Sequence, residues 1–229
     1  AIRDHFLWGA RSIVIAGTHG KTTTTALTAW VLTSGGVDPS MLVGGVAGNF
    51  GDHGSSYRLG GGRDFVIEGD EYDSAYFDKT AKFLKYLPDI AVINNIEFDH
   101  ADIYRDLDHV KTAFGRLVDI IPADGSLVVC ADYPAALEIS SGARCGSVTY
   151  GDCGDWTAGD IRFDQGRTFF EPCYRGKSEG RVEVSLIGRH NLKNALSVYA
   201  MGRTIGFERE QLLDGLRSFR GVKRRQETR

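Results

Sequence analysis

The chain has 229 residues, of which 42% are hydrophobic and 25% charged, and its formal net charge is −3. That balance fits one large or two small soluble globular domains and gives the chain as a whole no electrostatic reason to bind nucleic acid. No apolar run approaches the roughly 18 residues of a membrane span or the core of a signal peptide, and Cys130, Cys145, Cys153 and Cys173 lack C-x-x-C spacing, so reduced thiols in a cytoplasmic protein are expected.

The first apolar run is SIVIAG, ending at Gly17. A turn of Thr18, His19 and Gly20 leads to Lys21 and four threonines, where a helix with Leu27, Trp30 and Val31 on one face begins; Gly35 and Gly36 close it. The stretch 41–62 holds eight glycines and reads as a long mobile loop. Four more apolar runs follow: DFVIEG, DIAVINN, GSLVVC and SVTY. Buried strands without polar alternation, separated by helical patterns, predict an α/β fold with a mostly parallel sheet covered by helices on both faces. Residues 154–187 differ, since IRFDQGRTFFEPCYR and GRVEVSL with turn signals between them predict a small antiparallel meander. Two helices come last, one with Leu192, Ala195, Leu196 and Tyr199 at helical spacing and one over Glu208–Phe219. The basic end, GVKRRQETR, has no capping element, and the expectation is a piece of a larger protein cut at both ends.

Chemistry gathers at the predicted strand ends. A glycine turn between a strand and a helix offers backbone N–H groups and a positive dipole end to an anion. Lys21 would reach a terminal phosphate and the Thr22 hydroxyl a Mg²⁺ ion, although the common G-x-x-x-x-G-K-[ST] spacing is missing because Ile15 stands where a glycine is needed. Glu68 closes the next strand and is placed to hold a phosphate-bound metal. Asp70, Glu71 and Asp73 read either as support for that metal or as a solvated acidic turn. At a third strand end, Asn94, Asn95, Glu97, Asp99 and His100 follow an apolar run; His100 would bind a second metal, orient a substrate, or serve as a structural cap. Asn191 and Asn194 suit hydrogen bonding to a base edge, with Asn191 as helix N-cap the plainer alternative. Arg224 and Arg225 are either a solvated tail or arginines aimed at a γ-phosphate.

In order, GTHGKTTT, EGDEYDSA, NNIEFDHAD, GRHNLKNAL and FRGVKRRQE resemble the motifs of the central ATP-binding domain of the Mur ligase superfamily. The family's phosphate loop is G-[ST]-x-G-K-[ST], so the short spacing is its own form. The resemblance implies a phosphate-loop fold using ATP and Mg²⁺. It places Gly17, Thr18, His19, Gly20, Lys21, Thr22 and Thr23 around the phosphates, with Lys21 on the β- and γ-phosphates. Thr22 and Glu68 would hold one Mg²⁺, His100 a second, and Arg225 would approach the γ-phosphate. His190, Asn191 and Asn194 would lie at the adenine.

Within the superfamily, EGDEYDSAYFDKTAKF resembles the branch acting on UDP-N-acetylmuramate. DEYD in place of DESD favours joining the murein tripeptide L-alanyl-γ-D-glutamyl-meso-diaminopimelate in peptidoglycan recycling over adding L-alanine alone. Asn49 and Arg58 are candidate substrate contacts in the 41–62 stretch. The carbamylated lysine of several family members has no counterpart, since Gly115 stands there and Lys111 is the nearest lysine. The family's flanking UDP-binding and amine-binding domains lie outside this sequence, so the fragment is expected not to ligate by itself. A noncatalytic nucleotide-binding module would lose the metal residues, and Thr22, Glu68 and His100 are all present; a kinase or GTPase would require the longer loop.

Overall fold

The computed structural model describes residues 2–98 and 103–223. A helical turn over Arg3–Leu7 leads to β1 (Arg11–Ala16), the glycine-rich loop and α1 (Lys21–Ser34). β2 (Ser40–Ala47), β3 (Ser55–Arg58) and β4 (Asp64–Gly69) follow, then the hairpin of β5 (Asp73–Ala75) and β6 (Asp78–Ala81). The alternation continues through β7 (Ile90–Ile93), α2 (Leu107–Asp119), β8 (Ser126–Cys130), α3 (Pro134–Ser140) and β9 (Gly146–Tyr150). The antiparallel set is β10 (Trp156–Asp164), β11 (Arg167–Tyr174), β12 (Lys177–Ser178) and β13 (Val182–Val184). Last come α4 (Arg189–Thr204), α5 (Arg209–Ser218) and β14 (Val222–Lys223).

β1 lies between β4 and β7, parallel to both, with Ile13 opposite Val66 on one side and Ile90 on the other. β8 and β9 extend the parallel sheet beyond β7, and β2 extends it beyond β4. Strand side chains alternate between two apolar layers. Ile13, Ile15, Val66, Val92 and Val128 pack with Leu27, Val31, Leu196 and Leu212 of α1, α4 and α5. Val14, Ala16, Ile67, Ile93 and Val129 pack with Phe83 and with Val110, Phe114 and Leu117 of α2. Both faces of each central strand are therefore dry, which is why the sequence shows unbroken apolar runs there. Each buried Val, Leu, Ile or Phe side chain among them contributes about 1.5–3 kcal/mol.

The helix ends carry local signals. Asp106 caps α2 by accepting from the His109 N–H at 2.9 Å. Glu208 and Gln211 form a reciprocal capping box at the start of α5, each such cap being worth about 1 kcal/mol.

One expectation is corrected and another is met. The 41–62 stretch is not one long loop, because Ser40–Ala47 and Ser55–Arg58 are strands paired with each other. Its glycines are there for close approach: a Cβ on Gly45 would lie 2.5 Å from Val222 of β14 and 3.0 Å from Thr22. The antiparallel meander is present as β10–β13. Trp156 of β10 pairs in parallel with Tyr150 of β9, so the meander continues the main sheet, which has twelve strands among the described residues.

Candidate functional site

In an open parallel sheet, ligands sit beyond the carboxyl ends of strands where the strand order reverses. β1 is that strand, and residues 17–20 leave its end between the ends of β4 and β7. The loop is stitched to the segment after β7. Thr18 N–H donates to the Asn95 carbonyl at 3.1 Å, His19 N–H to Asn95 Oδ1 at 2.7 Å, and Glu97 N–H to Thr18 Oγ1 at 3.0 Å. Behind it, Asn94 Nδ2 donates to Thr24 Oγ1 at 3.0 Å, and the buried Tyr150 hydroxyl donates to Asn94 Oδ1, also at 3.0 Å. Burial holds the Tyr150 phenol well above its ordinary pKa, so it remains a donor.

Gly20, with φ 80°, occupies the N-cap of α1. A Cβ there would fall 2.6 Å from Asn194 Oδ1, so glycine is required both for the left-handed turn and for the approach of α4. No side chain caps α1 and its first turn has no acidic residue. Its positive end is thus free of the usual internal anion, as an anion-binding helix start requires.

The end of β4 and the turn that follows it supply two carboxylates with different fates. Glu68 Oε1 accepts from the Thr22 hydroxyl at 2.8 Å and Glu68 Oε2 from the Gly44 N–H at 2.6 Å. Burial pushes the Glu68 carboxyl above its ordinary range, against the lowering pull of these two bonds. Glu71 is only 3% exposed, so of the acidic turn it is not a solvated member. Its Oε2 lies 2.8 Å and its Oε1 3.1 Å from Lys21 Nζ. Asp73 is directed instead to Lys79 at 2.7 Å, away from the loop, and Asp70 acts on Glu68 only through its charge.

On the opposite side of the loop is a cavity of about 90 Å³, lined by His19, Tyr133, His190, Lys193 and Asn194 among others. Lys193 is held by Asp132 at 2.7 Å. Asn191 is not the N-cap of α4. Gly188 holds that position, and Asn191, inside the first turn, donates to the Ile187 carbonyl at 2.9 Å; the bend at Gly188, φ 100°, starts the helix earlier.

The structure thus gathers Gly17, Thr18, His19, Gly20, Lys21, Thr22, Thr23, Glu68, His190 and Asn194 around one loop, while Asn191 meets this group through the Asn194 amide, which donates to its Oδ1 at 3.4 Å. Asp99, His100, Arg224 and Arg225 lie outside the described residues. Two candidates are engaged by their own chain. Asn49 donates to the Ser218 carbonyl at 3.0 Å and accepts from Arg220 N–H at 2.7 Å, and Arg58 bonds the Pro39 carbonyl at 2.7 Å and pairs with Asp38. Lys111 is paired with Glu138 at 2.8 Å and Asp108 at 3.2 Å. Sequence reasoning missed Tyr133, Tyr150 and Lys193. Tyr150 had a signal, since it ends SVTY at the same sheet edge.

A short phosphate-type loop at the switch point of a mostly parallel sheet, faced by a strand-end carboxylate, defines the class as a phosphate-loop α/β domain. The family model described as the Mur ligase middle domain matches residues 15–202, and the chain belongs to that family. It is 38% identical over 227 residues to the UDP-N-acetylmuramate–L-alanyl-γ-D-glutamyl-meso-2,6-diaminoheptandioate ligase of Haemophilus influenzae, covering 99% of this chain and 49% of the relative. It is 39% identical over 218 residues to the UDP-N-acetylmuramate–L-alanine ligase of Syntrophus aciditrophicus, covering 94% and 43%. A crystal structure of the former type of ligase, from Neisseria, superposes with a TM-score of 0.86 at 38% identity, over 97% of this chain and 70% of that one. The chain spans about half the length of the curated relatives it matches.

Proposed function

We propose that this chain is the ATP-binding unit of a carboxylate–amine ligase that forms ADP and joins L-alanyl-γ-D-glutamyl-meso-diaminopimelate to UDP-N-acetylmuramate in peptidoglycan recycling. The observation that carries the nucleotide part is the 2.8 Å contact of Thr22 with Glu68 beside an uncapped helix start. The similarity to ligases of that name supports the substrate part.

The donor set fits Mg²⁺. Thr22 and Glu68 are hard oxygen donors, and Mg²⁺ takes one or two carboxylates together with phosphates and waters. A group of three or more His, Cys, Asp and Glu side chains is absent among the described residues and is not needed for such a site. Bound there, the metal would neutralise charge on the phosphate oxygens. In this reading the N–H groups of residues 20–23 and the Lys21 ammonium bind and orient the β- and γ-phosphates, while His190, Asn191 and Asn194 border the adenine. His100 serves a second Mg²⁺ and Arg225 the γ-phosphate. The lactyl carboxylate of the muramyl substrate attacks the γ-phosphorus and ADP leaves. The amine of the tripeptide then attacks the acyl phosphate, forming the amide and releasing phosphate. A carboxylate is a poor electrophile, so activation is required, and the site supplies alignment and charge complementarity. The flanking domains of the parent chain bring the UDP group and the amine, and the fragment does not ligate without them.

The second reading, addition of L-alanine alone, is favoured by the 39% identical Syntrophus relative. The parent protein, assayed with ATP and UDP-N-acetylmuramate, should consume tripeptide and not L-alanine; the reverse preference sinks the tripeptide assignment. For the nucleotide site, ATP·Mg²⁺ titrated into this chain and into Lys21→Ala should show at least about a 30-fold loss in the variant, as expected for a charge-assisted phosphate contact. Equal affinities remove Lys21 from the site.

A further inference from the structure

The Lys21 ammonium has three N–H groups and all of them are engaged. It lies 2.7 Å from the Gly17 carbonyl and 3.3 Å from that of Thr18, and 2.8 and 3.1 Å from the two Glu71 oxygens. Both partners are buried, Lys21 at 9% and Glu71 at 3% exposure. No donor is left for a phosphate oxygen in this arrangement. Glu71 is fixed from behind, because the buried Tyr104 hydroxyl donates to its backbone carbonyl at 2.6 Å. It lies three residues beyond Glu68, so the end of β4 faces Thr22 with Glu68 and the turn after it faces Lys21 with Glu71.

We propose that Glu71 is a positioning residue that latches Lys21 inside the nucleotide-free loop, and that the terminal phosphates of the nucleotide bind by taking the ammonium from it. The inference rests on the nucleotide-loop reading above. The exchange trades one charge-assisted pair for another, so Glu71 lowers affinity for the nucleotide while holding the empty loop in shape. A buried pair in which one partner is removed leaves an uncompensated charge, and the phosphate oxygens are what compensates Lys21 once Glu71 has been neutralised. The latch acts on the lysine and therefore on the β- and γ-phosphates; AMP, which lacks both, should be indifferent to it.

The test is titration of ATP·Mg²⁺ and of AMP into the wild-type chain, Glu71→Gln, Lys21→Ala and the double variant. Glu71→Gln keeps shape and an acceptor but removes the charge, and is expected to bind ATP·Mg²⁺ about tenfold more tightly, the scale of one hydrogen bond to a charged group. The gain should fall below about threefold where Lys21 is alanine, and AMP should not register it. A purely structural role predicts the opposite sign, since a loosened loop binds less well. Unchanged or weaker ATP binding by Glu71→Gln, with Lys21→Ala still impaired, overturns the latch alone. Equal affinity of wild type and Lys21→Ala, or no binding by either, overturns the nucleotide-loop reading and the latch with it. Tyr104→Phe gives a second route that leaves both charges in place. Freed of its 2.6 Å anchor, Glu71 should hold Lys21 less firmly, and ATP·Mg²⁺ affinity should rise about two- to threefold. No rise there counts against the latch.

Discussion

The carboxyl ends of β1, β4 and β7 and the antiparallel edge of β10–β13 use charge in opposite ways. At the strand ends the charges are enclosed, with Lys21 and Glu71 at 9% and 3% exposure, and Glu68 is raised in pKa by burial. At the edge, Arg167 pairs with Glu183 and Arg175 with Asp155, with side chains from 25% to 69% exposed. What anchors the edge is apolar: Trp156, Phe170, Val182 and Val184 belong to the layer beneath α1, α4 and α5. Exposed pairs contribute little, whereas enclosed charges cost stability unless each partner is kept. The edge is thus held by its greasy side, whereas the proposed binding groups at the strand ends are ones the fold would be easier without.

The largest expected effect separates the two directly. Phe170→Ala empties a fully buried position of the edge and should lower unfolding free energy by about 3–5 kcal/mol, measured by denaturant melting, while ATP·Mg²⁺ affinity of the folded variant stays within about threefold. A large affinity loss would show that the edge belongs to the site. Glu68→Gln should do the reverse. ATP affinity should fall about 30- to 100-fold and lose most of its Mg²⁺ dependence, as removal of a metal carboxylate predicts. Stability should rise at neutral pH. The folded carboxyl titrates above its ordinary value of 4.5, so the wild-type penalty is full above the folded pKa and vanishes below 4.5. The advantage of the variant should therefore disappear as pH drops through that window; an advantage that persists at low pH would mean that ionisation of Glu68 is not its source.

The same contrast governs what was legible in the sequence. The parallel strands announced themselves because two-sided burial writes continuous apolar runs, and the loop, Thr22 and Glu68 could be placed because strand ends are fixed once strands are. DEYD could not be parsed that way. Glu71 and Asp73 are two residues apart in one acidic turn, yet one is enclosed against Lys21 and the other is directed to Lys79. The turn is held by contacts distant in sequence, among them the Tyr104 hydroxyl on the Glu71 carbonyl, 33 residues away. The strand Ser40–Ala47 was hidden for a related reason. Glycine ordinarily weakens a strand, but Gly44 and Gly45 are demanded by Glu68, Thr22 and Val222 pressing on the backbone, neighbours that local pattern does not report.

Gly45 offers a milder way to sharpen the comparison. A Cβ there meets Val222 at 2.5 Å and the Thr22 methyl at 3.0 Å, so Gly45→Ala must shift β14 or the start of α1. Overpacking of this kind costs about 1–3 kcal/mol, so the melting temperature should fall by a few degrees, and near the loop the change should also appear as a several-fold weaker ATP·Mg²⁺ affinity. A large fall in melting temperature at unchanged affinity would place β14 with the stabilising edge instead.

The smallest expected effect tests the edge from its charged side. Arg167 bonds Glu183 across β11 and β13, but the register there is already set by Thr168 opposite Val184 and Phe170 opposite Val182. The inward side chains are Thr168, fully buried with its hydroxyl on the Leu186 carbonyl at 2.6 Å, and Phe170. Arg181 stacks over Phe169 at 5.0 Å and still covers the outer face once Arg167 is gone. Arg167→Ala should then leave the melting temperature within about 1–2 °C of wild type, with the difference shrinking further in high salt. A larger, salt-sensitive drop would mean that this pair is part of what holds the edge, and that the division between an apolar scaffold and a charged site is drawn in the wrong place.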